Sequence, residues 1–192
     1  MRALLLASSS PYRRELLERL RLPFTSASPA IDETALPGET PDALVRRLAR
    51  QKAEALAAEF AGHLIIGSDQ VAVLDGGILG KPHTFENARA QLLAASGKRV
   101  DFLTGLALLD AASGRYQVDV VRFTVHMREL DAAQVERYLQ AEQPYDCAGS
   151  FKAEGLGVSL FRRTEGDDAT SLVGLPLIRL VDMLQMEGIA AL

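Results

Sequence analysis

Cysteine is nearly absent from the chain. One in 192 residues excludes an intramolecular disulfide and a zinc-ribbon site, both of which need several. Histidine is almost as scarce. The three present, His63, His83 and His126, form no HxH or HExxH pair, so a histidine-built metal site is not expected. There is no tryptophan, and aromatics make up only 6%. No apolar run approaches the roughly 18 residues of a membrane-spanning helix. Positive charge is also short. The net charge is −4 and the pI about 5.4, whereas nonspecific binding to nucleic acid or to an anionic membrane needs a basic surface. No nucleic-acid or membrane partner is therefore expected.

What is present is a globular composition. Hydrophobic residues are 48% and charged residues 24%, enough apolar mass for a packed core. The length suits one domain or two intimate lobes, and residues 1–192 are read as a single domain. The opening MRALLLASSS has the look of a signal peptide, but its apolar run is shorter than the roughly 7–15 residues of an h-region. A charged amphipathic stretch follows at once. Residues 2–7 therefore read as a buried first strand, and a cytoplasmic location is expected.

Along the chain, helix and strand signals alternate. A strand over Ala3–Ala7 leads through a serine turn into a helix from Pro11 to about Arg21, with Ser10 as cap and Pro11 in the first turn. A short strand is expected near Phe24–Ser28 and a loop over Pro29–Thr40. Thr40-Pro41 opens a long helix reaching about Phe60. Leu64–Ile66 reads as a buried strand ending at Gly67-Ser68-Asp69. Gln70–Asp75 and Ile78–Leu79 read as a hairpin around Asp75-Gly76-Gly77. A helix over Thr84–Ser96 and a second hairpin, Val100–Leu109 with Tyr116–Val125, come next. Asp131 opens a helix to Gln140 with an Asp-x-x-Gln capping box. A polar loop runs over Pro144–Gly157, a strand is expected at Val158–Phe161, and Pro176–Met186 closes the chain as a helix. Parallel crossovers followed by hairpins imply a mixed sheet in an α/β fold.

Chemistry shows where charge falls on a face that should be apolar. In the first helix Arg13 lies four residues before Leu17, on the inner side, while Arg14 points towards Glu18. In the second helix Leu44, Leu48 and Leu56 form one row, and Lys52 fills its missing position. A lysine there needs a partner or a cavity. Ser8-Ser9-Ser10 joins a strand to a helix start, a place where N–H groups and hydroxyls cradle an anion, with Arg13 to complete it. It has neither a Walker pattern nor the strained GxSxG elbow of serine hydrolases. Asp69, at the expected end of a core strand, is placed to hold a divalent cation or accept a proton from water. Asp32 and Glu33 add oxygen ligands for a hard metal. Lys81, in Gly80-Lys81-Pro82, and Lys152 are further cations for a phosphate pocket. Cations for phosphate beside carboxylates for metal are the components of phosphoanhydride chemistry. Cys147 reads as a buried small residue rather than a nucleophile.

The blocks that carry these residues resemble a known family. Ala7-Ser8-Ser9-Ser10-Pro11-Tyr12-Arg13-Arg14 is similar to the opening signature of the Maf family of nucleotide pyrophosphatases. Asp32-Glu33, Gln51-Lys52-Ala53, Gly67-Ser68-Asp69, Gly80-Lys81-Pro82, Ala148-Gly149-Ser150-Phe151 and Val173-Gly174-Leu175-Pro176 follow in the family's order. The resemblance implies a mixed curved sheet flanked by helices, in two lobes with a deep cleft, akin to the inosine triphosphate pyrophosphatases. It implies hydrolysis of a nucleoside triphosphate to monophosphate and pyrophosphate with a divalent cation (Mg²⁺, Mn²⁺ or Co²⁺), and a homodimer. By resemblance Asp69 is the proton acceptor, Ser8, Arg13, Lys52 and Lys81 hold phosphate, and Glu33 joins Asp69 at the metal. Tyr12, Gln70 and Glu154 would set substrate choice.

Within the family, Gly67–Val71, Ala148–Gly155 and Val173–Leu177 look most like the branch that acts on 7-methyl-GTP. The dTTP/UTP branch usually has Arg at position 12 and Gln at 154. A carboxylate at 154 suits guanine, whose N1–H and exocyclic amine are both donors. An aromatic at 12 can stack on the cationic methylated base. The alternatives implied are a dTTP/UTP pyrophosphatase and a nucleotide-binding regulator of septum formation.

Overall fold

The computed structural model describes residues 2–192. Seven strands form one mixed sheet: β1 (Leu4–Ala7), β2 (Phe24–Ala27), β3 (Leu64–Leu74), β4 (Gly77–Leu79), β5 (Arg99–Asp110), β6 (Tyr116–Met127) and β7 (Phe161–Glu165). Their order is β2-β1-β3-β5-β6-β7, with β4 paired to β3. The helices are α1 (Pro11–Glu18), α2 (Pro41–Glu54), α3 (Phe85–Ala95), α4 (Ala132–Glu142), α5 (Thr170–Val173) and α6 (Leu177–Met186). β1 runs parallel to both β2 and β3, whereas β3–β4 and β6–β7 are antiparallel. The expected mixed α/β architecture is the one observed. No helix among the described residues is long and apolar enough to cross a membrane.

The chain divides into two compact units. The first comprises Met1–Asp69, Thr104–Val121 and Thr170–Leu192. In it the strand period of two sorts side chains to opposite faces. Leu4, Leu6, Leu64 and Ile66 join Leu16 and Leu17 of α1 and Leu177, Leu180, Met183 and Leu184 of α6. Leu5, Ala7 and Ile65 turn the other way, to Ala53 and Leu56. The close approach of α2 to this second face depends on two glycines. A Cβ on Gly67 would lie 2.0 Å from the Ala49 carbonyl oxygen, and one on Gly105 would lie 2.1 Å from that of Val45. Arg2, at the foot of β1, pairs with Asp110 at 3.0 Å and Glu187 at 2.8 Å, tying the first strand to the ends of β5 and of the C-terminal helix.

The second unit comprises Gln70–Leu103 and Arg122–Ala169. Its core includes the edge-to-face rings of Phe102, Phe151 and Phe161. The β3–β4 hairpin turns at Asp75 and Gly76, both with positive φ, as a type I′ turn requires. The capping box of α4 is complete, with Asp131 and Gln134 each accepting from the other's N–H.

Three expectations are corrected. β3 does not end at Asp69; it runs on to Leu74, because Gly67 and Ser68 are accommodated by close packing rather than used as a turn. α2 stops at Glu54 rather than near Phe60, since Leu56 and Ala57 bond three residues back instead of four. Val158–Leu160 belongs to a 3-10 turn, Leu156–Leu160, and the strand starts only at Phe161.

Candidate active site

The first unit brings two of the predicted residues, Asp69 and Glu33, onto one buried lysine, and the fields of both carboxylates reach a third, Arg13. Ser10 accepts from the Arg13 N–H and starts α1, and Thr40 does the same for Ala43 and α2. From α2, Lys52 enters a row with the buried Leu44 and Leu48, and the buried Leu56 follows just past the helix end. From β3, Asp69 falls on the same face as Gly67, the face that α2 covers. Lys52 Nζ lies 2.6 Å from Asp69 Oδ1 and 2.8 Å from Glu33 Oε1. The lysine and aspartate side chains are 7% and 11% exposed, whereas Glu33 is 59% exposed. The ion pair is therefore buried at one end and open to solvent at the other.

Glu33 sits on a loop that is itself held. Arg47 of α2 grips Glu39 with two bonds of 2.7 Å, donates to the Thr34 carbonyl at 3.0 Å and to Gln51 Oε1 at 2.9 Å. The Arg47 guanidinium and the Leu36 N–H hold the Glu39 carboxyl down at about 2. Asp32 accepts from the Thr34 N–H at 2.9 Å, and bonding to Thr34 lowers its pKa.

Arg13 is half-buried on α1 and donates from Nε to the Gly174 carbonyl at 2.8 Å. That bond leaves the two terminal nitrogens of its fork for an anion. Loss of water around the guanidinium lowers its pKa, against the fields of Asp69 and Glu33. Arg14 pairs with Glu18 at 3.3 Å, as its spacing predicts. Ser8 is buried, and its Oγ accepts from the Ser10 N–H at 3.1 Å. Tyr12 is half-buried on the first turn of α1.

Sequence reasoning gave Ser68 no role. It is fully buried, and its hydroxyl is shared between the carbonyls of Gly105 and Gly174, at 2.9 and 3.0 Å. Arg13 and Ser68 thus converge on one carbonyl oxygen. A polar residue between Gly67 and Asp69, on the face opposite to both, was the available signal.

Gln70, Lys81 and Glu154 belong to the second unit. Gln70 is half-buried, and Lys81 and Glu154 are exposed. Lys152, also of the second unit, donates from Nζ to the Glu142 carbonyl at 3.2 Å. Cys147 is half-buried rather than buried, and burial with Asp146 alongside pushes its thiol up to about 12, which leaves it a poor nucleophile.

Asp69 and Glu33, drawn together by the Lys52 ammonium, are carboxylates that supply the hard oxygen donors Mg²⁺ or Mn²⁺ takes, at a point beside the ammonium. No group of three or more acidic, histidine or cysteine side chains is gathered for a metal among the described residues. A divalent cation held by Asp69 and Glu33 would complete its shell from water and phosphate, as Mg²⁺ commonly does.

The mixed sheet and this lysine–carboxylate centre define a class, and the whole-chain comparison names it: residues 3–187 match the family of Maf-like proteins, and the chain belongs to that family. Among its relatives, a 7-methyl-GTP pyrophosphatase of Pseudomonas syringae pv. tomato is 76% identical over 190 residues, 99% of each chain. The protein of the same name from Pseudomonas aeruginosa is 72% identical over 186 residues, 97% of each. Among solved structures, the Staphylococcus aureus Ham1 protein superposes with a TM-score of 0.54 at 14% identity, over 96% of this chain and 99% of that one. At that identity the likeness speaks for the fold alone.

Proposed function

We propose that this protein is a nucleoside triphosphate pyrophosphatase that hydrolyses 7-methyl-GTP to the monophosphate and pyrophosphate, clearing a modified nucleotide. The observation that carries the reading is Lys52 set between Asp69 and Glu33 at 2.6 and 2.8 Å, in a chain 76% identical to a 7-methyl-GTP pyrophosphatase.

In this reading the side chains divide the work as their geometry allows. Lys52 fixes one oxygen of Asp69 and leaves the other to take a proton from the attacking water. Arg13, its Nε already bound to Gly174, offers its fork to the triphosphate, and Ser8 lies at the same strand-to-helix turn. Lys81 adds charge to neutralise the pyrophosphate that leaves when the anhydride between the α and β phosphates breaks. A divalent cation at Asp69 and Glu33 supplies Lewis-acid polarisation of phosphate oxygen when bound. Tyr12, Gln70 and Glu154 select the base: Glu154 accepts from the guanine edge, and Tyr12 stacks on the methylated ring. A homodimer in the cytoplasm completes the proposal, supported by the family resemblance.

The test is pyrophosphate release from 7-methyl-GTP, GTP, dTTP and UTP with Mg²⁺, Mn²⁺ or Co²⁺. Preference for 7-methyl-GTP is expected, with a loss of roughly 10²–10⁴-fold in Asp69→Asn. Preference for dTTP or UTP would keep the chemistry and overturn the base assignment. Binding without turnover of any nucleotide would favour a nucleotide-binding regulator instead.

A further inference from the structure

Glu154 lies on a short segment of the second unit, and α4 grips that segment on both sides of it. Upstream, the hydroxyl of Tyr138 accepts from the Lys152 N–H at 3.0 Å. Downstream, Glu142 Oε2 accepts from the Leu156 N–H at 2.7 Å. The segment folds on itself between these points, the N–H groups of Gly155 and Gly157 both donating to the Lys152 carbonyl, at 3.3 and 3.1 Å. Lys152 Nζ closes the loop on the Glu142 carbonyl. There is no slack in the packing. A Cβ on Gly157 would lie 2.2 Å from the Lys152 carbonyl oxygen, and one on Gly155 would lie 2.8 Å from Glu142 Oε2.

Two features show that the grip is specific. Glu142 is the last residue of α4, where the helix dipole disfavours a carboxylate; the Leu156 N–H and the Lys152 ammonium offset that. Tyr138 is 3% exposed, so its hydroxyl needs a partner, and it meets a main-chain N–H two residues before Glu154. Burial also pushes that hydroxyl's pKa upward.

We propose that Tyr138 and Glu142 are positioning residues for base selection: by fixing the backbone on either side of Glu154, they set how its carboxylate is presented to the nucleobase. The proposal rests on the reading of Glu154 as a base-selecting residue. It adds two buried or half-buried residues of another helix to the specificity apparatus.

The test is the ratio of kcat/KM for 7-methyl-GTP to that for dTTP, measured in wild type, Glu154→Gln, Glu142→Ala and Gly155→Ala. The nearest atoms a Cβ at Gly155 meets are those of the flexible Glu142 carboxylate, so Gly155→Ala loosens the grip from the other side, and circular dichroism checks that each variant is folded. The ratio is expected to fall about 10–100-fold in both grip variants, the cost of a misplaced contact. Adding Glu142→Ala to Glu154→Gln is expected to lower it no further. Equal losses on both nucleotides, with the ratio unchanged while Glu154→Gln shifts it, would overturn the positioning role and leave the reading of Glu154 intact. An unchanged ratio in Glu154→Gln itself would overturn both.

Discussion

Lys52 is the residue at which type and position conflict most. Its neighbours, Leu44 and Leu48 along the helix row and Leu56 just past the helix end, are buried apolar side chains, and an ammonium among them is tolerated because Asp69 and Glu33 meet it at 2.6 and 2.8 Å. Breaking a buried pair from one side leaves the other charge uncompensated, whereas replacing both partners by apolar groups of similar volume is often neutral. Lys52→Met is therefore expected to destabilise the protein by about 3–5 kcal/mol in urea unfolding. Lys52→Met combined with Asp69→Leu should recover most of that loss while turnover stays abolished. Recovery of stability without activity would mark the pair as kept for chemistry. If the double variant were as unstable as the sum of the singles, the two residues would not be acting on each other.

At the scale of elements, the sequence was legible wherever a local signal set the outcome. Ser10 and Asp131 cap their helices as the sequence predicts, Thr40 caps the helix that Thr40-Pro41 is expected to open, and the Asp75–Gly77 turn closes the expected hairpin. Lys52 and Arg13 stood out because helical spacing alone put them on inner faces. Legibility failed where tertiary packing overrode a local cue. Gly67-Ser68 looked like a strand end but is interior to β3, since its glycine makes room for a helix backbone that no local pattern announces. The partners of Ser68 and Arg13 at Gly174 are more than a hundred residues away. Arg47 was likewise silent in the sequence, although it organises the loop that bears Glu33. That loop carries a pH signature. The Glu39 carboxyl is held at about 2 against an ordinary 4.5, so between those values the native state binds fewer protons than the unfolded chain. The contribution is then full above about pH 4.5 and is lost as pH falls towards 2. The difference in urea midpoint between wild type and Glu39→Gln should accordingly be largest near neutrality and shrink on acidification. A difference that stayed constant down to pH 2 would show that Glu39 acts through packing and not through its charge on Arg47.

In the molecule taken as a whole, the candidate centre exists because a helix and two strands of the first unit touch backbone to backbone. Gly67 on β3 and Gly105 on β5 belong to neighbouring strands, and each faces a carbonyl of α2, at Ala49 and Val45. These contacts are about one helical turn apart, and the next turn of α2 carries Lys52. The strand period then places Asp69 two residues beyond Gly67, on the face where Lys52 arrives. The two glycines thus set the height of α2 above the sheet, and that height sets the 2.6 Å ion pair. A methyl group at either site meets main chain rather than the end of a side chain, so relief requires the helix to move. Gly67→Ala and Gly105→Ala are each expected to cost about 1–3 kcal/mol or more from overpacking. They should also reduce turnover well beyond what the unfolded fraction explains. Gly105 bears no side chain, and its strand neighbour Thr104 bonds to the Ser171 carbonyl, so its substitution reaches the centre through the seating of α2 or through its own carbonyl, which holds the Ser68 hydroxyl at 2.9 Å; Ser68→Ala is the control that separates the two. Pyrophosphate release by Gly105→Ala, measured at a temperature where circular dichroism shows the variant fully folded, decides the matter. A deep loss of turnover in folded protein supports this coupling, and wild-type turnover in folded protein would show that the ion pair tolerates a displaced helix.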